Sequence, residues 1–338
     1  MTAPSTTTGS VVTSPALGAD GYWPRGWLVN DQLTAIPGTR TLWHELLDGI
    51  PNLVWPFGDD YIPYPQLVAK TKTRWLLEDE RPAYVIRNAT GFPPLGISVP
   101  EISLFQDILP PHSAPAVLQG KVVQASAAVV YNSAYTVENA SYAGSAARNR
   151  VIPLGVDVEW FRPDDRRRRD YLASIGTLKP IVMWVGSGHM VKGIDRLIAK
   201  FHDMQDVQVL VILKDEFKVR VPEFVVRRRL PASEMLGAFN AADVLVCTSR
   251  VETQHLASLE ACACDTPVVT LPVGAWAAQR TGAWGRRCDT VDELPDAVRR
   301  VLAERRSYTP RQWLLDMGLD IRTTIRSWRR LVREVLQT

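Results

Sequence analysis

The stretch ASEMLGAFNAADVLVCTSRVETQHLASLEACACDTPVVTLPVG, residues 232–274, decides the fold. Two short apolar runs stand in it, DVLVC (243–247) and PVVTL (267–271). A helical pattern precedes the first, Ser233–Asn240, and a second, Leu256–Cys264, lies between them. Nearly continuous apolar runs of this length read as strands covered on both faces, as parallel sheets require. Strand, loop, helix and strand in that order make a βαβ unit. The polar loop TSRVETQH (248–255) then leads from the end of a strand into the start of a helix.

The same alternation extends in both directions. Upstream stand the strand IVMWV (181–185), a helix over Gly193–Phe201, the buried strand VQVLVIL (207–213) and a short strand FVV (224–226). Downstream, Thr290 and Glu293 have the spacing of a capping box that opens a helix to about Glu304. The first half is patterned more faintly: strands at WLVND (27–31), NLVW (52–55), AYVIRN (83–88), EISLF (101–105) and AAVVY (127–131), with helices near Arg40–Leu47, Pro65–Leu77 and 114–125. In the last helix Ile321, Ile325, Trp328, Val332 and Val335 form one apolar stripe opposite Arg322, Arg326, Arg329, Arg330 and Arg333. The pattern predicts an α/β protein of two doubly wound domains. Residues 1–20 are expected to be a flexible Ser/Thr/Pro-rich tail, 21–158 the first domain and 159–319 the second. Helix 320–338 is expected to join the first. In such folds ligands sit beyond the carboxyl ends of the strands, which places function in the cleft between the domains.

Composition narrows the function classes. The 338 residues are 46% hydrophobic and 22% charged, which excludes general disorder. No run approaches the ~18 apolar residues of a spanning helix. The start carries no basic-then-apolar secretory pattern. Cys247, Cys262, Cys264 and Cys288 have no Cys-x-x-Cys spacing, so neither a disulfide framework nor a zinc site is expected, and a cytoplasmic setting fits. Cys262 and Cys264 read as small buried helix residues. Residues 1–150 hold 10 Lys/Arg against 12 Asp/Glu, and the remainder 29 against 24, too mild an imbalance to announce a nucleic-acid binder. The basic runs Arg166–Arg169 and Arg227–Arg229 read as solvated faces. Trp23, Trp27, Trp43, Trp55 and Trp75 crowd the first 75 residues and read as core, although aromatic platforms also stack sugars or bases.

Glu252 and Glu260 are the candidate functional carboxylates. Glu252 falls in the loop and Glu260 inside the following helix. The helix N-terminus suits a phosphate, and a carboxylate two turns along could bind ribose hydroxyls. The same spacing also allows a capping box between Ser249 and Glu252 with Glu260 on the surface.

The segment resembles the donor-site signature of retaining glycosyltransferases of the GT4, or group 1, type. The resemblance rests on Ala242-Asp243-Val244, Ser249, Glu252, Glu260-Ala261 and Thr266-Pro267-Val268-Val269, with VIPLGVDVEWFRP (151–163) and VGSGHMVKGIDRLIAKF (185–201) in support. It implies the GT-B architecture, two Rossmann-like domains facing each other across a cleft, and transfer of a sugar from a nucleotide-sugar donor with retention of configuration. It implies that Lys192 meets the donor diphosphate, Glu260 the ribose and Glu252 the transferred sugar. Gly186, Ser187 and Gly38 are implied near the phosphates, with Thr253, Gln254, His255 and Leu256 lining the donor. It implies no cofactor and no metal, because Lys/Arg side chains and helix dipoles carry the leaving-group charge. Gln106, Asp107 and Asn88 are the candidate acceptor-side residues.

The chain departs from the family pattern at several of these places. Ser187 stands where Arg is frequent, and His189 or Arg250 is the candidate replacement cation. Thr253, Gln254 and His255 replace glycines, Ala275 follows Gly274, and Gln106-Asp107 replaces a His-Asp pair. Other readings are a glycosyltransferase of modified nucleic-acid bases, a catalytically weakened nucleotide-sugar-binding protein, and weak membrane or nucleic-acid contact through the basic last helix. Donor identity, acceptor and oligomeric state are not legible.

Overall fold

A computed structural model describes residues 25–29, 42–51, 53–54, 71, 82–88, 93–142 and 148–337. Residues 1–20, Gly38, Trp23, Trp55, Trp75 and nearly all of the helix expected near 65–77 lie outside them, as do the side chains of Trp27 and Trp43.

The first sheet holds β1 (Gly26–Val29), β2 (Leu53–Val54), β3 (Tyr84–Asn88), β4 (Glu101–Phe105), β5 (Ala128–Tyr131) and β6 (Asn149–Val151). Its order is β2-β1-β3-β4-β5-β6, and every pairing is parallel. The second holds β7 (Ile181–Gly186), β8 (Gln208–Leu213), β9 (Val225–Arg228), β10 (Val244–Cys247), β11 (Val268–Thr270) and β12 (Gly285–Arg287), in the order β12-β11-β10-β7-β8-β9. All of its pairings are parallel too. The central strands β4, β5, β7 and β10 are buried at every position, whereas the edge strands β6 and β9 are not.

The helices are α1 (Leu42–Gly49), α2 (Ala114–Ala125), α3 (Ala134–Asn139), α4 (Asp165–Ile175), α5 (Ile194–Phe201), α6 (Ala232–Ala241), α7 (Leu256–Ala263), α8 (Leu294–Ala303), α9 (Pro310–Asp316) and α10 (Ile321–Gln337). α4 escapes the sequence pattern because none of its residues is fully buried; its short apolar patch of Tyr171, Leu172 and Ile175, partly buried against the second core, follows four consecutive arginines. Its ends are nonetheless well specified: the Asp164 carboxylate accepts from the Arg167 N–H, and Gly176 closes it in the left-handed conformation. The Arg166–Arg169 run lies on this helix and is not wholly a solvated face. Arg168 donates to the carbonyls of Asn240 and Ala241 and pairs with Asp243 at 2.7 Å, tying α4 to α6 and the start of β10.

The expected capping box at Thr290 is corrected. The Thr290 hydroxyl donates to Glu293 at 2.8 Å instead of capping a backbone N–H, and a 3₁₀ turn over Val291–Glu293 delays α8 to Leu294.

The apolar stripe of α10 packs into the first sheet. Ile321, Ile325, Trp328, Leu331, Val332 and Val335 share one core with Leu28, Leu46, Ile86, Ile102, Leu104 and Val130. The chain reaches this helix beside the segment that left the first sheet. Val156 N–H donates to Leu319 O and Ile321 N–H to Val156 O, both at 2.9 Å. In the second half Trp276, Trp284 and Trp313 cluster with centroids 4.4–5.9 Å apart.

Trp328 is wholly buried at the centre of the α10 contact. Trp328→Ala should destabilise the protein by about 3–5 kcal/mol, the usual cost of emptying a buried aromatic site. Calorimetric melting of the variant against the parent chain measures this.

Candidate functional site

Numbered within itself, the second sheet runs 3-2-1-4-5-6, and the order reverses between β7 and β10. A ligand is expected in the crevice at that reversal, beyond the carboxyl ends of the two strands. A cavity of ≈ 230 Å³ lies there. Gln106, Asn132 and Leu154 line it from the first half and the connecting segment; Val185, Gly186, Ser187, Lys192, Lys214 and residues 252–257 line it from the second. Two larger hollows, of ≈ 540 and ≈ 400 Å³, open at the amino ends of strands, around Glu101 and Arg148 and around Pro180 and Asp243. The smaller cavity is the candidate site because strand ends of both sheets converge on it.

Glu252 is its centre. Its side chain is 7% exposed, and one oxygen, Oε1, accepts from Lys192 Nζ at 2.7 Å and from Ser249 Oγ at 2.8 Å. His255 Nε2 stands 4.0 Å from the same oxygen. Burial works to raise the Glu252 pKa, but the charges of His255 and Lys192 and the two hydrogen bonds hold it below the ordinary value. For His255, burial opposes the charged form, yet Cys247 and Glu252 leave its pKa raised. Its ring also meets the Ser258 hydroxyl. The Ser249–Glu252 contact is therefore side chain to side chain inside a loop, and α7 begins only at Leu256, with His255 before it at φ 63°. The alternative of a capping box at Ser249 is set aside.

Lys192 closes a short turn, Met190–Lys192, and is followed by Gly193 at φ +72°. A Cβ on Gly193 would fall 2.0 Å from the carbonyl oxygen of Thr248, so only glycine lets this turn lie against the loop. The Arg250 N–H donates to Val191 O at 2.8 Å, and the Arg250 guanidinium binds both oxygens of Asp195, at 2.8 and 2.6 Å. Arg250 is thus spent on structure and does not line the cavity. His189 is exposed and does not line it either. Neither expected replacement cation reaches the site.

Lys214 does. It follows β8, its N–H donates to Gly186 O at 2.9 Å, and it lines the cavity. Among the described residues no carboxylate lies within ion-pairing distance of its ammonium. Sequence reasoning missed Lys214 and Asn132. Their position directly after apolar strand runs was the available signal, since those strand ends face the crevice.

Of the other expected residues, Gly186, Ser187, Thr253, His255, Leu256 and Gln106 line the cavity. Asp107 and Asn88 do not; Asp107 is exposed, and Asn88 ends β3. Glu260, inside α7, is half-buried and outside the lining. Burial raises its pKa, against the opposing charges of Lys214 and His255. Gln254 lines the cavity as well. Both ends of its amide are bonded to the backbone of Leu154 at 2.8 Å. Among the described residues no group of three His, Cys, Asp or Glu could hold a metal ion, and no helix is long and apolar enough to cross a membrane.

Residues 179–304 match the family Glycosyl transferases group 1. The D-inositol 3-phosphate glycosyltransferase of Segniliparus rotundus is 26% identical over 220 residues, 59% of this chain and 48% of that protein. The alpha-maltose-1-phosphate synthase of Mycobacterium tuberculosis is 31% identical over 144 residues, 37% of each. The chain thus spans about half or less of the length of these curated relatives. Among solved structures, Anabaena Alr3699/HepE in complex with UDP-glucose superposes with TM-score 0.73 at 16% identity, over 91% of this chain and 99% of that one. Sucrose-phosphate synthase from Thermosynechococcus elongatus gives 0.67 at 17%, over 88% and 83%. These likenesses show the fold, GT-B, with two Rossmann-like domains.

A carboxylate whose pKa is lowered on folding stabilises the protein above its unfolded pKa, and that stability is lost as pH falls through the folded pKa. The stability difference between the parent chain and Glu252→Gln should therefore be larger at pH 6 than near pH 3. Urea titrations of both proteins at the two pH values read it.

Proposed function

We propose, from the premise that residues 179–304 are a domain of the glycosyl transferases group 1 family, that this chain transfers a sugar from a nucleotide-sugar donor to an acceptor. The observation that carries the reading is the Lys192–Glu252 pair at the strand-order reversal, with Lys214 beside it. In the proposed complex the diphosphate lies against Lys192, Lys214 and the first turn of α7. The transferred sugar sits at Glu252, and the nucleoside extends along α7 towards Glu260.

The chemistry breaks the bond between the anomeric carbon and the diphosphate oxygen and forms one to the acceptor hydroxyl oxygen, whose proton passes to the departing diphosphate. Negative charge builds on the departing diphosphate. Two ammonium groups already in place stabilise it without reorganising, which is the most effective form of electrostatic catalysis. Glu252 keeps its own charge next to the carbon that becomes electron-poor. Lys192 arrives paired, so a donor phosphate must share it with Glu252. Lys214 supplies the charge that Ser187 does not, which weighs against a weakened binding protein. Retention of configuration follows from the family resemblance. The acceptor approaches from the Gln106 and Asn132 side, and no metal is required.

The HepE structure holds UDP-glucose, so uridine nucleotides are the first probes. A thermal-shift screen of UDP-, GDP-, ADP- and TDP-sugars should find one that stabilises by about 2.7 kcal/mol at 100 times its Kd. Glu252→Gln should lower kcat by about 10- to 150-fold, the value of a hydrogen bond to a charged group, with a smaller change in donor Kd. Lys214→Met should weaken binding of the matching nucleoside diphosphate by about tenfold or more, and Lys214→Arg should restore it. Turnover should survive EDTA. The reading fails if no nucleotide-sugar binds.

A further inference from the structure

The loop that carries Glu252 is anchored on two sides. Ser249, Arg250 and Lys192 hold it within the second half. Directly after Glu252 it crosses to the other half. The Thr253 hydroxyl accepts from Asn132 Nδ2 at 2.9 Å, and the Thr253 carbonyl accepts from Ser133 Oγ at 2.6 Å. Next, the Gln254 amide reads the backbone of Leu154 as a strand would. Its Oε1 accepts from the Leu154 N–H and its Nε2 donates to the Leu154 carbonyl, both at 2.8 Å.

Gln254 is 1% exposed, so these bonds are not exchanged with water, and losing either partner would leave a buried polar group unpaired. Behind the loop, Gly274 takes φ +55°, and a Cβ there would lie 2.9–3.0 Å from the Thr253–Gln254 peptide. The loop therefore has no slack: it is backed by Gly274 and pulled forward by Asn132, Ser133 and Leu154.

We propose that Gln254 is a positioning residue, which seats Glu252 against Lys192 by bonding the donor-side loop to Leu154 in the segment that connects the two halves. Four hydrogen bonds involve the two residues after Glu252: two run to Asn132 and Ser133 of the first half, and two, from one side chain, to Leu154 of the connecting segment. Glu252 is held against Lys192 while the first half is docked, and loses that support when it is not. The chemistry then needs both halves together, and the acceptor-lining residues Asn132 and Gln106 arrive with the docking. The proposal rests on the preceding reading only in treating Glu252 as a group of the donor site.

The test needs no substrate. In the full chain, the Leu154 amide is followed by hydrogen exchange and Lys192 by competitive amine labelling, with the exposed Lys179 as internal reference. A lysine ion-paired at 2.7 Å labels slowly. In Gln254→Ala the Leu154 amide should exchange about fivefold faster or more, as loss of one net hydrogen bond allows. The Lys192-to-Lys179 labelling ratio should rise several-fold. Gln254→Glu keeps the acceptor for the Leu154 N–H and sets an oxygen against the Leu154 carbonyl, so it should raise the Lys192 ratio with little change in size or shape. Ser133→Ala should move both readouts the same way. If Leu154 exchange quickens while the Lys192 ratio stays at the parent value in all three variants, Gln254 only cements the two halves and the proposal is overturned. If neither readout moves, it is overturned as well. Failure of the glycosyltransferase reading shows elsewhere, as absence of nucleotide-sugar binding by the parent chain.

Discussion

A carboxylate removed from water must be paired, and the second half of this protein is arranged around that requirement at Glu252. With a side chain 7% exposed, Glu252 takes Lys192 and Ser249 on one oxygen. Lys192 can stand there because Gly193 turns the chain with positive φ and leaves room for the Thr248 carbonyl. Arg250 then fastens the loop to Asp195 at the start of α5.

The same loop makes the site a property of two sheets. Parallel sheets direct the carboxyl ends of their strands to one edge, and here the edges of both sheets meet. β4 and β5 deliver Gln106 and Asn132, and β7 and β8 deliver Ser187 and Lys214. The chain enforces the meeting twice. It crosses to the second half through 151–158 and returns beside that segment into α10, whose stripe is part of the first core. The two halves of this chain are therefore held by covalent continuity, by one shared helix and by the loop bonds at Thr253 and Gln254.

Much of this was legible in the sequence. The strands IVMWV and VQVLVIL appear as β7 and β8, and the helix expected near 114–125 is α2. Such segments announce themselves because burial on both faces leaves a continuous apolar run, and burial on one face leaves a period. α4 was not legible because its apolar residues Tyr171, Leu172 and Ile175 are only partly buried and leave too short a period. The placing of Glu252 in a loop and the helix start at Leu256 followed from the polarity of TSRVETQH between two apolar segments. Family resemblance singled out Lys192 and Glu252 separately; that they pair, 60 residues apart in the chain, is a finding of the structure.

By itself, then, the sequence determined the local elements, their alternation and hence the doubly wound sheets, because periodicity and capping are short-range properties of the chain. Tertiary structure alone decided which charges the site can use. Arg250 looked available and is consumed by Asp195; Lys214 looked ordinary and ends at the cavity. Gln254 looked like a donor ligand and is bound at both ends to Leu154, 100 residues away. A side chain's partner is set by what folding brings within about 3 Å of it, and no spacing along the chain encodes that distance.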